Sequence, residues 1–364
     1  MLIDEYSPYK IVHNLDRMLA LRGGEQTIPL KVQFAPTNRC NVKCAYCCYY
    51  GDSFTGFDLF DPQDEIPLER ANRILDDCRD MKIPAVDFTG GGDPLCHPDI
   101  EFMLARCIKN GIKFGVITNG AHLDRNGLVE LVARAAYIRL SLDARHGSTY
   151  STLKGVHSDT FKRIVSTIEK LRAASSELVI GINFNVLREN YHEIHDAAEF
   201  YRGLGANNIR FAPVNVNWDG SKYGDASTEY YRDIKDHIRK LVDLAKAEFE
   251  APAFAIFDVV TEKRLAGSWK REQDIPFCPH KELVTFIGAD ENVYTCCNQA
   301  YMPSGLVGSI KDRRLLEFWF SAEKRKFFER HDPRRQCRIP CVHQFKNEFM
   351  NYCLRHEPKH KEFI

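Results

Sequence analysis

With 364 residues, 44% hydrophobic and 27% charged, the chain can bury a large core and predicts two to three domains. Lys+Arg 50 balance Asp+Glu 50, so neither a basic field for nucleic acid nor an acidic one for cationic partners is present. No apolar run approaches the roughly 18 residues of a membrane span, and Met1-Leu-Ile-Asp-Glu-Tyr6 lacks the make-up of a signal peptide, so the expected location is the cytoplasm.

In chain order, residues 1–29 form a helical extension, because Ile11, Leu15, Met18, Leu19 and Leu21 suit one short amphipathic helix. Strand-like runs follow at Leu30–Ala35, Ile83–Phe88, Lys113–Thr118, Tyr137–Ser141, Leu178–Val186 and Asn208–Val214. Between them Leu68–Arg79, Asp99–Asn110, Asp124–Ala135, Asp159–Arg172 and Tyr191–Leu204 carry helical periodicity. The alternation predicts an α/β fold over 30–215, a partial (β/α)6 TIM-like barrel with its active site at the strand C-termini. Residues 216–275 read as a helical connection, with a charged helix from about Thr228 to Glu250. Residues 276–364 read as a small α+β unit: a hairpin of Leu283–Ile287 and Val293–Cys297 across a turn at Gly288–Asn292, then Leu306–Ile310 and a helix through Leu315–Trp319.

The 13 cysteines fall in two groups. Cys40, Cys44, Cys47, Cys48, Cys78, Cys96 and Cys107 precede a long gap; Cys278, Cys296, Cys297, Cys337, Cys341 and Cys353 follow it. In a reducing compartment such a split marks two metal regions rather than a disulfide framework. Cys40-Asn-Val-Lys-Cys44-Ala-Tyr-Cys47 sits in the loop where the first strand ends, and three thiolates with no fourth ligand close by leave one metal position open.

This Cys-x3-Cys-x2-Cys loop after a strand resembles the radical S-adenosylmethionine (SAM) superfamily. The resemblance implies that Cys40, Cys44 and Cys47 hold three irons of a [4Fe–4S] cluster whose fourth iron chelates SAM, with Cys48 a spectator. Thr89-Gly90-Gly91-Gly92-Asp93-Pro94 resembles the family's Gly-Gly-Glu-Pro motif, with an extra glycine and Asp93 in place of Glu. Ser141 and Asp143 resemble its Ser-x-Asp strand end, and a period of two puts both on one face. Lys154 stands where relatives carry an arginine for the SAM carboxylate, and Tyr46 inside the cysteine loop joins the expected cofactor contacts. Asn183, Asn185 and Phe211-Ala212-Pro213 are placed for the adenine edge or the substrate.

The second cysteine region resembles the SPASM/twitch extension of such enzymes. The resemblance implies an auxiliary [4Fe–4S] cluster on Cys278, Cys296, Cys337 and Cys341, with the roles of Cys297 and Cys353 open. A structural zinc site, with His280 or His343 among its ligands, is the alternative. The expected activity is reductive cleavage of SAM, fed by a flavodoxin- or ferredoxin-type reductant, and hydrogen abstraction from a small polar metabolite of the sugar, aminocyclitol or nucleoside kind. Oxidation, elimination or epimerisation would follow. With only 29 residues before the first strand, a peptide-modifying maturase is the second reading and a zinc-stabilised binding protein the third. Cys96, four residues past the glycine run, is a candidate hydrogen-atom donor; a small buried hydrophobe is its other reading.

Overall fold

The computed structural model describes residues 7–44, 46–50, 57–125, 127–214, 230–261, 275–337 and 341–356. After a short N-terminal helix, α1 (Leu15–Arg22), the chain alternates strand and helix: β1 (Lys31–Phe34), α2 (Leu68–Asp80), β2 (Ala85–Phe88), α3 (Ile100–Lys109), β3 (Lys113–Thr118), α4 (Leu128–Val132) and β4 (Tyr137–Ser141). Two helices, α5 (Gly147–Lys154) and α6 (Asp159–Ala174), precede β5 (Val179–Val186); α7 (Ile194–Gly203) leads to β6 (Asn208–Pro213) and α8 (Lys235–Phe249) to β7 (Ala255–Asp258). Each strand pairs in parallel with the next in sequence.

The alternation has a packing cause. Val86 and Phe88 of β2, Ile138 and Leu140 of β4, and Ile180 and Ile182 of β5 share one core with Ile74, Leu75, Leu104, Ile164 and Ile168 of the helices. Because successive strand residues point to opposite faces, Asp87, Arg139, Ser141, Asn183 and Arg210 lie on the concave face. The sheet's end strands are not paired to each other, so it is an open, partial barrel.

All six expected strands are present, and a seventh, β7, falls where a helical connection was expected. Its four residues, Ala255-Ile-Phe-Asp258, follow directly on the charged α8 and are too few for a clear periodicity. The first residues expected of that helix, 228 and 229, lie outside the described residues.

The C-terminal region is not detached from the barrel. After a one-turn helix (His280–Leu283), β8 (Val284–Ile287) pairs in parallel with the free edge of β1, Lys31 opposite Val284 and Phe34 opposite Ile287. β9 (Asn292–Tyr294) and β10 (Leu306–Ser309) then add antiparallel, so one sheet of ten strands runs through both regions. The expected hairpin is thus present, with Leu283 drawn into the preceding helix and Cys296 just beyond the second strand. Arg70 of α2 reaches Glu291 at 2.7 Å, and Asp77 of α2 accepts from Arg314 and from Leu315 N at 2.7 Å, bracing the hairpin region against the barrel. Among the described residues no helix is long and apolar enough to cross a membrane.

Candidate active site

The loop after β1 is held from three sides. Asn38 donates to Asp61 O at 2.8 Å and accepts from Tyr301 OH at 2.6 Å, while Lys43 N bonds Lys154 O at 2.9 Å. The glycine run packs against this loop. A Cβ on Gly92 would overlap the backbone of Asn38 and Arg39, one on Gly91 would overlap the Phe60 ring, and one on Gly90, whose φ is +156°, would sit 2.9 Å from Ala35 Cβ. At Gly92 glycine answers a close approach of two protein backbones.

Asp93 is likewise turned inward. Its buried carboxylate accepts from Thr118 Oγ1 at 2.9 Å, Asn119 N at 2.6 Å and Leu95 N at 2.9 Å, tying the glycine run to the end of β3. Asn119, just past the end of β3, donates to Asn41 Oδ1 at 2.8 Å and toward Cys40 Sγ at 3.9 Å. Cys96 donates to the same Asn41 oxygen at 3.4 Å, so it borders the cysteine loop.

Cys40, Cys44 and Cys47 are free, partly exposed and close enough to act on one another electrostatically. Burial, then the Asp93 charge, pushes the Cys40 thiol up to about 12; burial raises Cys44 as well, against the pull of Lys154. Thiols of this kind give up protons when metal binds. Among the described residues no three of His, Cys, Asp or Glu crowd together tightly enough for one metal ion. Zinc would need thiolates about 3.8 Å apart, from Zn–S bonds near 2.3 Å. Three free thiols close enough to act on one another are a donor set that fits an iron–sulfur cluster.

The end of β4 departs from expectation. The strand stops at Ser141 and Asp143 has φ +55°, so the period of two does not carry Asp143 to the face of Ser141. Asp143 instead takes Tyr46 OH on one oxygen, together with Lys154 Nζ at 2.5 Å, and Asn185 N on the other at 2.5 Å. Lys154 also donates to Tyr46 OH at 2.7 Å. Both ion-pair partners are buried, at 2% and 0% side-chain exposure. Burial alone would lower the Lys154 ammonium; Asp143 overrides it and holds the pKa above its ordinary value. Lys154, expected at the SAM carboxylate, is committed to this internal pair, which clamps Tyr46 and the cysteine loop onto β4 and β5. Asn183, opposite Ser141 on β5, accepts from Arg210 of β6 at 2.8 Å. No sequence signal set Arg139 and Arg210 apart; their strand alternation, read against the apolar partners, was the available one.

The second cysteine region gathers Cys278, Cys296, Cys337 and Cys341, whose thiols act on one another. The residues between the last two, 338–340, lie outside the described residues. Burial raises all four thiols, Cys341 to about 12. Asn347 spans two of them, with Cys278 Sγ 3.8 Å from its Oδ1 and its Nδ2 3.8 Å from Cys341 Sγ. His280 and His343 stack at 3.7 Å, both kept neutral by burial, and the buried His280 Nε2 has no partner among the described residues. Cys297 also acts on Cys296 and Cys341, and it lies 3.9 Å from His343 Nε2 and near Cys48, while Cys353 is exposed. Thiols that act on one another in this way, with an orphaned polar atom beside them, are a donor set that fits an iron–sulfur cluster.

Residues 34–201 match the family model "Radical SAM superfamily". The chain is 27% identical over 184 residues to the antilisterial bacteriocin subtilosin biosynthesis protein AlbA of Bacillus subtilis, half of this chain but 39% of AlbA's length. It is 25% identical over 309 residues to the AdoMet-dependent heme synthase of Methanosarcina barkeri, 81% of this chain and 83% of that protein. Among solved structures, SAM-bound SuiB of Streptococcus suis superposes with TM-score 0.59 at 18% identity, over 88% of this chain and 73% of SuiB, a likeness of fold. The cysteine loop after β1, the open parallel barrel and the family match agree: residues 34–201 form a domain of the radical SAM superfamily, whose members work with a [4Fe–4S] cluster and SAM.

Proposed function

We propose that Cys40, Cys44 and Cys47 hold the SAM-binding cluster and that Cys278, Cys296, Cys337 and Cys341 hold an auxiliary cluster of the SPASM/twitch type. When bound, the first cluster and SAM supply a 5′-deoxyadenosyl radical. The chain's own residues set the stage for it. Asp93 fixes the glycine run against the cysteine loop, the Tyr46–Asp143–Lys154 cluster locks that loop to β4 and β5, and Ser141 stands at the open strand end for the cofactor.

The substrate is a small polar metabolite taken into the concave face, there to be oxidised, cleaved by elimination or epimerised. The observation that carries this reading is the polar lining by Arg139, Ser141, Asn183 and Arg210 on three adjacent strands. The near full-length likeness to a heme synthase supports a non-peptide substrate. Peptide modification is the second reading, favoured by the capture of SuiB with its precursor peptide SuiA. Anaerobic, cluster-loaded protein given SAM and a low-potential reductant is tested with separate sugar, cyclitol, nucleoside and peptide pools. Stimulation of 5′-deoxyadenosine release by the metabolite pools is expected; stimulation by peptides alone overturns the metabolite reading.

A further inference from the structure

The one-turn helix after Cys278 carries Lys281, whose ammonium is fully buried. It donates to Phe328 O at 2.6 Å and lies over the rings of Phe277 (5.2 Å) and Phe328 (4.9 Å), with no carboxylate within salt-bridge distance among the described residues. Beside it Lys324, 1% exposed, pairs with Glu282 at 3.3 Å and sits over Trp319 (4.2 Å) and Phe328 (4.0 Å). His331, buried with both ring nitrogens unpartnered, is held neutral by burial, its pKa down to about 4. The cage therefore holds two ammoniums against one carboxylate. Burying an unmatched charge is costly, so a balancing negative charge belongs nearby.

After Glu282, which it shares with Lys324, Lys281 acts on the thiols of Cys278 and Cys337, and its backbone N–H donates to the Cys278 thiol. A four-iron cluster on four thiolates supplies negative charge there, about −2 in its oxidised form. We propose that Lys281 is the fixed counter-charge of the auxiliary cluster, raising its reduction potential by favouring the more negative, reduced state; this rests on the auxiliary-cluster reading above. Charge near a cluster is one of the levers that set its potential.

The experiment is potentiometry, read by EPR, of the auxiliary cluster alone in a Cys40→Ala/Cys44→Ala/Cys47→Ala background. In that background Lys281→Met, with about four irons retained per chain, is expected to lower the oxidised-to-reduced balance point tenfold or more, about 59 mV for one electron. Glu282→Gln, which leaves both ammoniums, is expected to move it in the opposite direction. The double variant Lys281→Met/Glu282→Gln restores the single excess positive charge and returns the potential toward the parent, which a packing role would not do. An unchanged potential in Glu282→Gln, or shifts of one sign in both single variants, overturns the proposal even should Lys281→Met fail to fold. Absence of iron from the background protein itself overturns the auxiliary-cluster reading instead.

Discussion

Replacing Lys154 with Met separates a structural pair from a cofactor contact. Asp143 is fully buried and its carboxylate keeps two hydrogen bonds, from Tyr46 OH and Asn185 N, when the ammonium is gone. What it loses is the only ion-pair partner recorded for it among the described residues, and removing one member of a buried pair costs about 3–5 kcal/mol. Unfolding entropy of about 2.1 cal/mol/K per residue over 364 residues converts this to a Tm lower by about 4–7 °C. The raised Lys154 pKa means its contribution is complete below the unfolded value near 10.4 and is lost only as pH rises through the folded one. A melt of metal-free protein at pH 7.5, followed by circular dichroism, therefore reads the full effect. The double variant Lys154→Met/Asp143→Asn removes both charges and is expected to melt above the single variant. A Lys154→Met protein with unchanged Tm and a SAM KM raised many-fold would refute the reasoning and return Lys154 to the SAM carboxylate.

Changing Cys40, Cys44 or Cys47 to Ala is expected to leave the fold and abolish SAM cleavage; 5′-deoxyadenosine from any of the three would contradict the cluster assignment. Gly92→Ala, whose Cβ would meet the Asn38–Arg39 backbone, is expected to cost iron at the first cluster, whereas Gly203→Ala, with nothing within 4 Å, should keep a full complement by iron assay. Burial first, then the Asp93 charge, pushes the Cys96 thiol up to about 12, so it keeps its S–H at neutral pH. If it returns a hydrogen atom to substrate, product formed in heavy water gains one solvent deuterium and Cys96→Ala halts after one turnover. Full turnover in Cys96→Ala makes it a packing residue.

The six strands of the barrel were legible because each carries a run whose alternate residues enter the helix-facing core, as Ile138 and Leu140 do in Tyr137–Ser141. The two cysteine groups were read from spacing and resemblance; within each the thiols lie close enough to act on one another, and Cys297 joins the second. Helix α5 was not, since Gly-Ser-Thr-Tyr-Ser-Thr-Leu-Lys has no apolar stripe and is held by Asp143 through its last residue. Asp143 shows why site roles fail to follow from local pattern. Its left-handed φ, which reverses the side chain's direction, is sustained by partners 42 and 97 residues away, from Asn185 N and Tyr46 OH. The pairing of β8 with β1 is of the same kind, invisible to any window on the sequence.

That pairing has a consequence for biosynthesis. β1, the strand that delivers the first cysteine loop, gains its second neighbour only when Val284–Ile287 has been made, and Val284 pairs with Lys31 from 253 residues downstream. At about 5–20 residues per second, one edge of β1 stands open on the ribosome for roughly 13–50 s. An open edge is a template for wrong pairing. The Tyr301 bond to Asn38, which steadies the cysteine loop, arrives later still. The finished setting of Cys40, Cys44 and Cys47 thus waits on synthesis of the last quarter of the chain, and ribosome-bound chains halted before residue 284 would present these thiols on an unfinished loop.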